Sequence, residues 1–166
     1  LSYSQKLKVH CIRPATVCGL SPRMRLDVAV NLLTMQALEK GKITVFGGKQ
    51  SRPNIHMDDI TDVYLHFMDH PNHTGVFNAG FENITILDIA KLITKYVSVE
   101  VDVTESNDPR SYRINSDKLL ATGFKPKKTV EHAIQEIIES YRSGFLRDED
   151  HFYNLKWMEK SRIVKE

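Results

Sequence analysis

Apolar positions recur along the chain with two spacings, one typical of strands and one typical of helices. Short apolar runs bounded by turn residues predict strands over residues 9–12, 43–46, 76–80 and 99–103. Pro14 should end the first strand, and a loop should follow through Gly19. Apolar residues three and four positions apart predict amphipathic helices over residues 27–40 and 60–68, from Thr85 through Val97, and from Thr129 to just before Gly144. Strands that alternate with helices in this way indicate an α/β protein.

Polar residues and glycine mark the expected ends of these helices. Asp27 can cap the first helix, and Gly41 lies where that helix should end. Asp58 or Asp59 can cap the second helix, and Thr85 begins the third as the first residue of a capping box.

Composition and charge narrow the class of protein. The chain has 166 residues and 41% apolar content, so we expect one globular unit, with residues 1–146 as its folded region and residues 147–166 as a charged peripheral tail. A formal net charge of +2 without long blocks of one sign argues against nucleic-acid binding. No apolar run approaches the roughly 18 residues of a membrane span. Cys11 and Cys18 lack the spacing of a zinc site, which favours a reduced, cytoplasmic protein.

Three arginines, Arg25, Arg52 and Arg110, neighbour turn residues instead of following a charged helical face. Planar guanidinium groups bind two phosphate oxygens at a time, which suits a diphosphate. The alternative is that each is a solvated surface arginine, because the sequence alone does not bring the three together. Both interpretations stay open at this point.

The sequence around His56 raises the question of a metal site, because Asp58 and Asp59 lie close by. A histidine flanked by Ile55 and Met57 is more often packed and hydrogen bonded, so we predict no metal ion here. The chain also has no GxGxxG turn and no visible general acid. We therefore assign no catalytic residue.

Several motifs resemble, in order and spacing, those of the extended short-chain dehydrogenase/reductases, and more narrowly the NAD-dependent epimerase/dehydratases that act on nucleotide sugars. The motifs lie at residues 11–19, 23–31, 51–59, 75–80, 83–86, 108–113 and 116–118. The resemblance extends from Lys8 to about Ser140.

This resemblance implies a protein of two lobes, an amino-terminal Rossmann lobe for NAD or NADP and a smaller lobe for a nucleotide-diphosphate sugar. The chain would supply the carboxy-terminal substrate-binding lobe plus two late strands of the Rossmann-like parallel sheet, near Val9 and Val76. The family's YxxxK motif and glycine-rich turn do not occur in this sequence. We expect them to precede Leu1, so that the fragment alone is inactive. The resemblance also implies a homodimer.

The resemblance assigns roles to individual residues. Pro14, Ala15, Thr16 and Val17 would border the nicotinamide, and Thr16 would also contact the sugar. Arg52 would bind the diphosphate. The further substrate contacts implied by family position are Asn31, Asp108, Arg110 and Tyr112, and the turn context adds Arg25.

Three alternatives stay open. The same lobe would suit an NADPH-dependent keto-sugar reductase or a non-catalytic nucleotide-sugar-binding module. A free-standing small α/β binding domain is the weakest, because the strands near Val9 and Val76 would then lack sheet neighbours and leave edges that favour aggregation.

Overall fold

A computed structural model of the chain describes residues 8–106 and 110–161. Within these residues the strands are β1 (His10–Pro14), β2 (Thr16–Cys18), β3 (Lys42–Phe46), β4 (Ser51–His56), β5 (Gly75–Ala79), β6 (Glu82–Thr85) and β7 (Glu100–Thr104). The helices are α1 (Ala29–Lys40), α2 (Met57–Asp69), α3 (Ile86–Thr94), α4 (Asp117–Leu120), α5 (Val130–Arg142) and α6 (Asn154–Lys160). A turn of 3-10 helix, Asp150–Phe152, precedes α6.

Parallel pairing joins strands that lie far apart in the sequence. β1 is parallel to β5, and β3 is parallel to β7. β4 lies between β2, to which it is parallel, and β6, to which it is antiparallel. Parallel strands require crossover connections, and helices supply most of these here. The predicted α/β class, with parallel sheets of the Rossmann-like kind, is confirmed.

The two strands near Val9 and Val76 pair with each other, in register from His10 opposite Gly75 to Pro14 opposite Ala79. Each therefore has one sheet neighbour among the described residues, whereas the argument against a free-standing domain supposed that both strands would lack one. The apolar face of α2 packs on this pair and buries Phe67 together with Phe77.

The largest hydrophobic cluster lies where α1, α3 and α5 pack over β3. Val30, Ile43, Ile89 and Ile134 are fully buried at its centre. Each helix contributes apolar residues three and four positions apart, as the sequence pattern predicts. Burying one such side chain contributes roughly 1.5–3 kcal/mol. This packing fixes α1, whose opposite sides border two of the clefts described below.

A smaller cluster involves the segment after α5. Met24 and Leu26 are buried with Leu146, and Phe152 packs against them. The backbone N–H of Leu26 also donates to the carbonyl of Phe152, at 2.9 Å. The described part of residues 147–166 thus contacts the folded region, and the proposed boundary at residue 146 remains a prediction.

Three of the predicted helix ends are confirmed. Thr85 accepts from the N–H of Asp88, and Thr129 forms a capping box with His132. Gly41 ends α1 in the left-handed conformation, at φ +62°, which a residue without a Cβ adopts at little cost.

Two predicted helix starts are wrong. α1 begins at Ala29 after Val28, and the carboxylate of Asp27 accepts instead from Arg25 and from the backbone of Asn154. α2 begins at Met57 and is capped by the imidazole of His56. Neither Asp58 nor Asp59 caps α2, because the helix starts at Met57, three residues before the apolar pattern predicted over residues 60–68.

Strands β2, β4 and β6 were not predicted from the sequence. β2 replaces an expected loop, and β4 and β6 lack the apolar alternation of a recognisable strand. Pro53 is tolerated in β4 because pairing with β2 begins only at Asn54, so the residue without an N–H lies at the edge of that ladder. No helix in the part of the chain that the structure describes has both the length and the apolar character needed to cross a bilayer.

Candidate functional site

The main cleft has a volume of about 660 Å³ and lies where β1 and β2 meet α1 and α2. It brings together six of the residues predicted to bind substrate or cofactor, which are Pro14, Ala15, Thr16, Val17, Arg25 and Asn31. Met57, Ile60 and Tyr64 of α2 form the opposite wall. The mixture of an apolar wall and a few polar groups is typical of small-molecule sites.

Asn31 holds one wall of the main cleft in place. Its Oδ1 accepts the N–H of Gly19 at 3.1 Å, and its Nδ2 donates to the carbonyl of Arg25 at 2.9 Å. The residue is 2% exposed. We conclude that Asn31 first of all fixes the loop between β2 and α1, which carries Arg25.

Arg25 is placed at the rim of this cleft. Its Nε donates to the carboxylate of Asp27 at 3.0 Å, and its side chain is about half exposed. An ion pair this exposed adds at most about 1 kcal/mol to stability. The pair therefore serves mainly to orient the guanidinium of Arg25 at the cleft rim, and it contributes little to the stability of the fold.

A second cleft, of about 300 Å³, shares Pro14, Ala15 and Thr16 with the main cleft. Its other lining residues are Pro53, Tyr112, Arg113 and Ile114. Because three residues belong to both clefts, the two are neighbouring parts of one depression. Thr16 and Tyr112, both predicted substrate contacts, therefore face a common space.

Arg52 stands between this second cleft and a third. Its guanidinium lies over the ring of Tyr112, 5.6 Å from the ring centroid. Its Nη1 donates to the carbonyl of Ser51, at 3.1 Å, and to that of Arg110. The structure thus places Arg52 beside Arg110, whereas Arg25 lies at the main cleft. The three arginines do not converge on one point.

Backbone contacts tie the segment that carries Arg110 and Tyr112 to the mixed sheet. The N–H of Tyr112 donates to the carbonyl of Ser51 at 3.3 Å. Further along, Asn83 of β6 bonds both the N–H and the carbonyl of Ile114, at 2.8 and 3.0 Å. Asp108, another predicted contact, lies outside the described residues.

The third cleft, of about 260 Å³, lies between α1 and β3. Leu32 and Leu33 supply apolar surface, while Arg52 and Gln50 supply polar groups. Phe46 lies at its edge with 62% of its surface exposed. An aromatic ring exposed beside a cationic side chain is suited to a planar base linked to phosphate.

Gln50 is a residue that the sequence analysis missed. It is 9% exposed and lines the third cleft. Its Nε2 donates to the carbonyl of Phe46 at 3.1 Å, but its Oε1 has no hydrogen-bond partner. An unsatisfied buried acceptor is costly, and a ligand N–H or O–H would remove that cost. Only its position beside Arg52 in the sequence could have drawn attention to it.

The structure places two carboxylates and one ammonium group close to His56. One ligand atom each of His56, Asp58 and Glu136 lie within 4.8 Å of one another. The ammonium of Lys128, however, lies 3.0 Å from Glu136 and 3.9 Å from Asp58. Lys128 thus already supplies a positive charge beside these carboxylates, and His56 is the fully buried member of the group. The absence of a metal ion here stays a prediction.

Asp59 and Glu82 are two further carboxylates, and both contact the backbone that leads into α5. Asp59 is fully buried and accepts the backbone N–H groups of Lys127 and Lys128, at 2.9 and 3.1 Å. Glu82 accepts the N–H of Val130 at the start of α5. Burial raises the pKa of the Glu82 carboxyl above its usual range. These carboxylates position α5 and do not line the clefts.

Comparison with known proteins shows what the chain is similar to. Residues 1–80 match the sequence model of the NAD dependent epimerase/dehydratase family. NAD or NADP is the cofactor of that family.

Three solved structures illustrate the shared fold. dTDP-glucose 4,6-dehydratase from Bacillus anthracis, in complex with NAD, is 21% identical, with a TM-score of 0.68 over 89% of this chain and 47% of that one. UDP-glucose 4-epimerase from Thermotoga maritima, with UDP-glucose, is 24% identical, with a TM-score of 0.70 over 84% and 48%. RMD from Pseudomonas aeruginosa, complexed with NADPH, is 19% identical, with a TM-score of 0.66 over 82% and 49%.

At these identities the likeness establishes the fold alone. The chain spans about half the length of the solved structures that it matches.

Proposed function

We propose that the chain is a member of the NAD dependent epimerase/dehydratase family, whose model matches residues 1–80, and that it supplies the nucleotide-sugar-binding part of an epimerase or dehydratase. The observation that carries this proposal is the position of Arg52. It lies between a cleft with an exposed aromatic ring and a depression bordered by Thr16. A nucleotide, a diphosphate and a sugar would follow one another along this path.

The diphosphate would lie against Arg52, with Arg110 close by. Charge-assisted hydrogen bonds of this kind contribute about 1.5–3 kcal/mol each. Arg52 is held by two backbone carbonyls and by Tyr112, so little side-chain freedom is lost when a ligand binds. The structure thus supports Arg52 as a fixed phosphate contact.

The nucleotide base and ribose would occupy the third cleft. Phe46 offers an aromatic face at the edge of that cleft, and the Oε1 of Gln50 offers an acceptor that lacks a partner. An N–H or hydroxyl of the nucleoside would satisfy Gln50. Leu32 and Leu33 of α1 would pack against the apolar surface of the base.

The sugar would extend into the main cleft, where residues 14–17 would also border the nicotinamide. NAD or NADP, when bound, accepts a hydride from the sugar and returns it. Thr16 can hydrogen bond a sugar hydroxyl because it lines both the main and the second cleft. Orienting the sugar in this way can lower the barrier to hydride transfer, since binding energy is used to position the reacting atoms.

The catalytic tyrosine and lysine and the glycine-rich cofactor turn would belong to an amino-terminal Rossmann lobe. Two features support docking of such a lobe here. The β1–β5 pair is a two-stranded sheet among the described residues. On α2, Tyr64, Leu65 and Met68 expose half or more of their surface at helical spacing, which forms an apolar stripe opposite the buried face.

A reductase of the same superfamily is the second candidate, because the matched RMD structure holds NADPH. Such an enzyme would use the same substrate clefts and would differ in the residues that bind the cofactor. Homodimerisation, cytoplasmic location and inactivity of the chain on its own remain predictions from the resemblance.

Calorimetric titration with UDP, dTDP, ADP and GDP tests the proposal. We expect one of these diphosphates to bind, and Arg52→Ala to weaken its binding roughly ten- to a hundredfold, which is what one charge-assisted hydrogen bond contributes. Arg142→Ala is the matched control, because Arg142 contacts the carbonyl of Tyr96 away from the clefts. Unchanged affinity in Arg52→Ala, or an equal loss in Arg142→Ala, would remove Arg52 from the site.

A further inference from the structure

The chain returns after α5 to the loop between β2 and α1, at the rim of the main cleft. Arg23 and Arg25 of this loop both line that cleft. Hydrogen bonds reach the loop from Asn154, across 127 and 131 positions of sequence. We call residues 150–157 the carboxy-terminal segment, and none of them lines the main cleft itself.

The backbone joins the carboxy-terminal segment to the loop at two successive points. Leu26 is fully buried, packs against Phe152, and donates its N–H to the carbonyl of that residue at 2.9 Å. The N–H of Asn154 donates in the opposite direction, to Oδ2 of Asp27 at 3.2 Å. The loop cannot move away from the segment without breaking both hydrogen bonds.

Asp27 connects the carboxy-terminal segment to Arg25. Its Oδ1 accepts from Nε of Arg25 at 3.0 Å, while its Oδ2 accepts from Asn154. Burial alone would raise the pKa of Asp27, but the hydrogen bonds from Arg25 and Asn154 outweigh burial and hold this pKa below its ordinary value of 3.8. Asp27 is therefore a carboxylate near pH 7. Among residues 8–106 and 110–161, the side chain of Arg25 bonds Asp27 alone, so its two terminal nitrogens are available to a ligand.

Arg23 is held by side chains of the same segment. Its Nη2 donates to Oδ1 of Asn154 at 3.2 Å, and its guanidinium carbon lies 5.0 Å from the ring centroid of Trp157. A guanidinium group over an aromatic ring is attracted by the negative face of that ring. Arginine side chains lose rotamer freedom when they bind a ligand, and a side chain that is already ordered loses less. The segment thus orders a second cation at the rim of the main cleft.

We propose that the carboxy-terminal segment is a positioning element of the substrate site, which orients Arg23 directly and Arg25 through Asp27. This inference rests on the proposed function, because it takes the main cleft as the place of the sugar. The oriented guanidinium groups would donate to oxygen atoms of the sugar, while Arg52 would bind the diphosphate in the neighbouring cleft. The exposed part of these contacts adds little to the stability of the fold, which favours a role in binding.

Asn154→Pro is the variant that tests this inference without unfolding the chain. Asn154 is the first residue of α6, where proline is tolerated, and Tyr153 before it is extended, at φ −106° and ψ 114°, as a residue before proline should be. The substitution removes both the N–H to Asp27 and the side chain that holds Arg23. Asn154→Ala, which keeps the N–H, is the matched control for the backbone hydrogen bond.

Trypsin measures how firmly the loop is held, because it cleaves after Arg23 and Arg25 only when the loop opens. Their neighbours Met24 and Leu26 are buried, so the cleavage rate follows the opened population. We expect Asn154→Pro to speed cleavage at these two sites about tenfold, the effect of losing a hydrogen bond to a charged group. Asn154→Ala should have a smaller effect. Cleavage after Lys95 in the same molecule should be unchanged.

Calorimetry then compares each nucleotide sugar with its own diphosphate, using UDP-glucose and UDP, dTDP-glucose and dTDP, ADP-glucose and ADP, and GDP-mannose and GDP. For the pair that binds, Asn154→Pro should weaken binding of the nucleotide sugar about three- to tenfold, since oriented charged donors contribute on this order. Binding of the diphosphate should be unchanged, because its proposed contact is Arg52. A segment that only stabilised the fold would not separate the two ligands.

Glu159→Ala is the second control, since Glu159 lies exposed on α6, and it should change neither the cleavage rates nor the affinities. Two results in Asn154→Pro would overturn the inference. These are cleavage after Arg23 and Arg25 at the wild-type rate, or equal changes in affinity for the nucleotide sugar and the diphosphate. If none of the four pairs bound the wild-type chain, the proposed function would fail and the substrate role of the segment with it. The cleavage rates, which need no ligand, would still show whether the segment holds the loop.

Discussion

Glu136 accepts a hydrogen bond from the buried imidazole of His56, with Oε2 3.0 Å from Nε2. The tautomer follows from the other ring nitrogen, because Nδ1 accepts the N–H of Asp58 at 3.1 Å and so carries no proton. One imidazole thus caps α2 and holds α5. The ring also lies close to Gly19, where an added Cβ would come within 3.0 Å of Nε2. The imidazole of His56 therefore packs against Gly19, which lines the main cleft.

Removing the acceptor should destabilise the protein. Glu136→Ala leaves the N–H of His56 buried without a partner, and the side chain of His56 is 0% exposed. We expect the free energy of unfolding to fall by about 1–3 kcal/mol, the cost of an unsatisfied buried donor. Urea unfolding measures this directly.

Two variants control for helix propensity and for charge. Glu139→Ala changes an exposed glutamate on the same helix and should alter stability by less than about 0.5 kcal/mol. Glu136→Gln keeps an acceptor for His56 and should fall between the two. If Glu136→Ala were no worse than Glu139→Ala, the hydrogen bond would carry no stabilisation.

Glu82 should make the protein less stable as pH rises. Burial raises the pKa of this carboxyl in the folded state above the ordinary value of 4.5. The stabilisation is therefore complete below pH 4.5 and is lost as pH rises through the higher, folded-state pKa. Glu82→Gln retains an acceptor for the N–H of Val130 and removes the titration.

The test is the difference in unfolding free energy between Glu82→Gln and wild type, followed from pH 4 to pH 8. The variant should gain stability relative to wild type as pH rises. A difference that stays constant over this range, or one in which the variant loses stability relative to wild type as pH rises, would show that burial does not raise the pKa of Glu82 in the folded state.

The two thiols should differ sharply in reactivity. Cys11 is exposed, whereas Cys18 is buried and its pKa is raised to about 12, first by burial and then by Glu82. Thiolate is the reactive form, so Cys18 should be inert near neutral pH. Titration with a disulfide reagent should give one thiol in the native chain and two in urea. Cys11→Ser should abolish the native reaction, and a surviving fast thiol would contradict this assignment.

How much of the fold the sequence predicted depends on what holds each element. β3, β7, α3 and α5 follow from apolar periodicity, since their patterned residues form the main core. β4 could not be predicted because its pairing comes from strands on both sides, while its own sequence is polar and contains Pro53. Tertiary pairing here outweighs local propensity.

The candidate site was likewise predicted from the sequence only in part. The resemblance singled out Thr16 and Asn31, and the turn context singled out Arg25, and all three line one cleft. Turn context and resemblance both drew attention to Arg52. They could not show that Arg25 lies apart from Arg52, because that depends on how α1 packs between two clefts. They also gave no reason to choose Gln50, whose unpaired oxygen is a property of packing alone.

A structure of this chain with a bound nucleotide diphosphate tests the central claim most directly. The diphosphate oxygens should lie within hydrogen-bond distance of the guanidinium of Arg52, and the base should lie beside Phe46 with a donor directed to the Oε1 of Gln50. A diphosphate bound away from Arg52, with the cleft between α1 and β3 left empty, would contradict the proposed function.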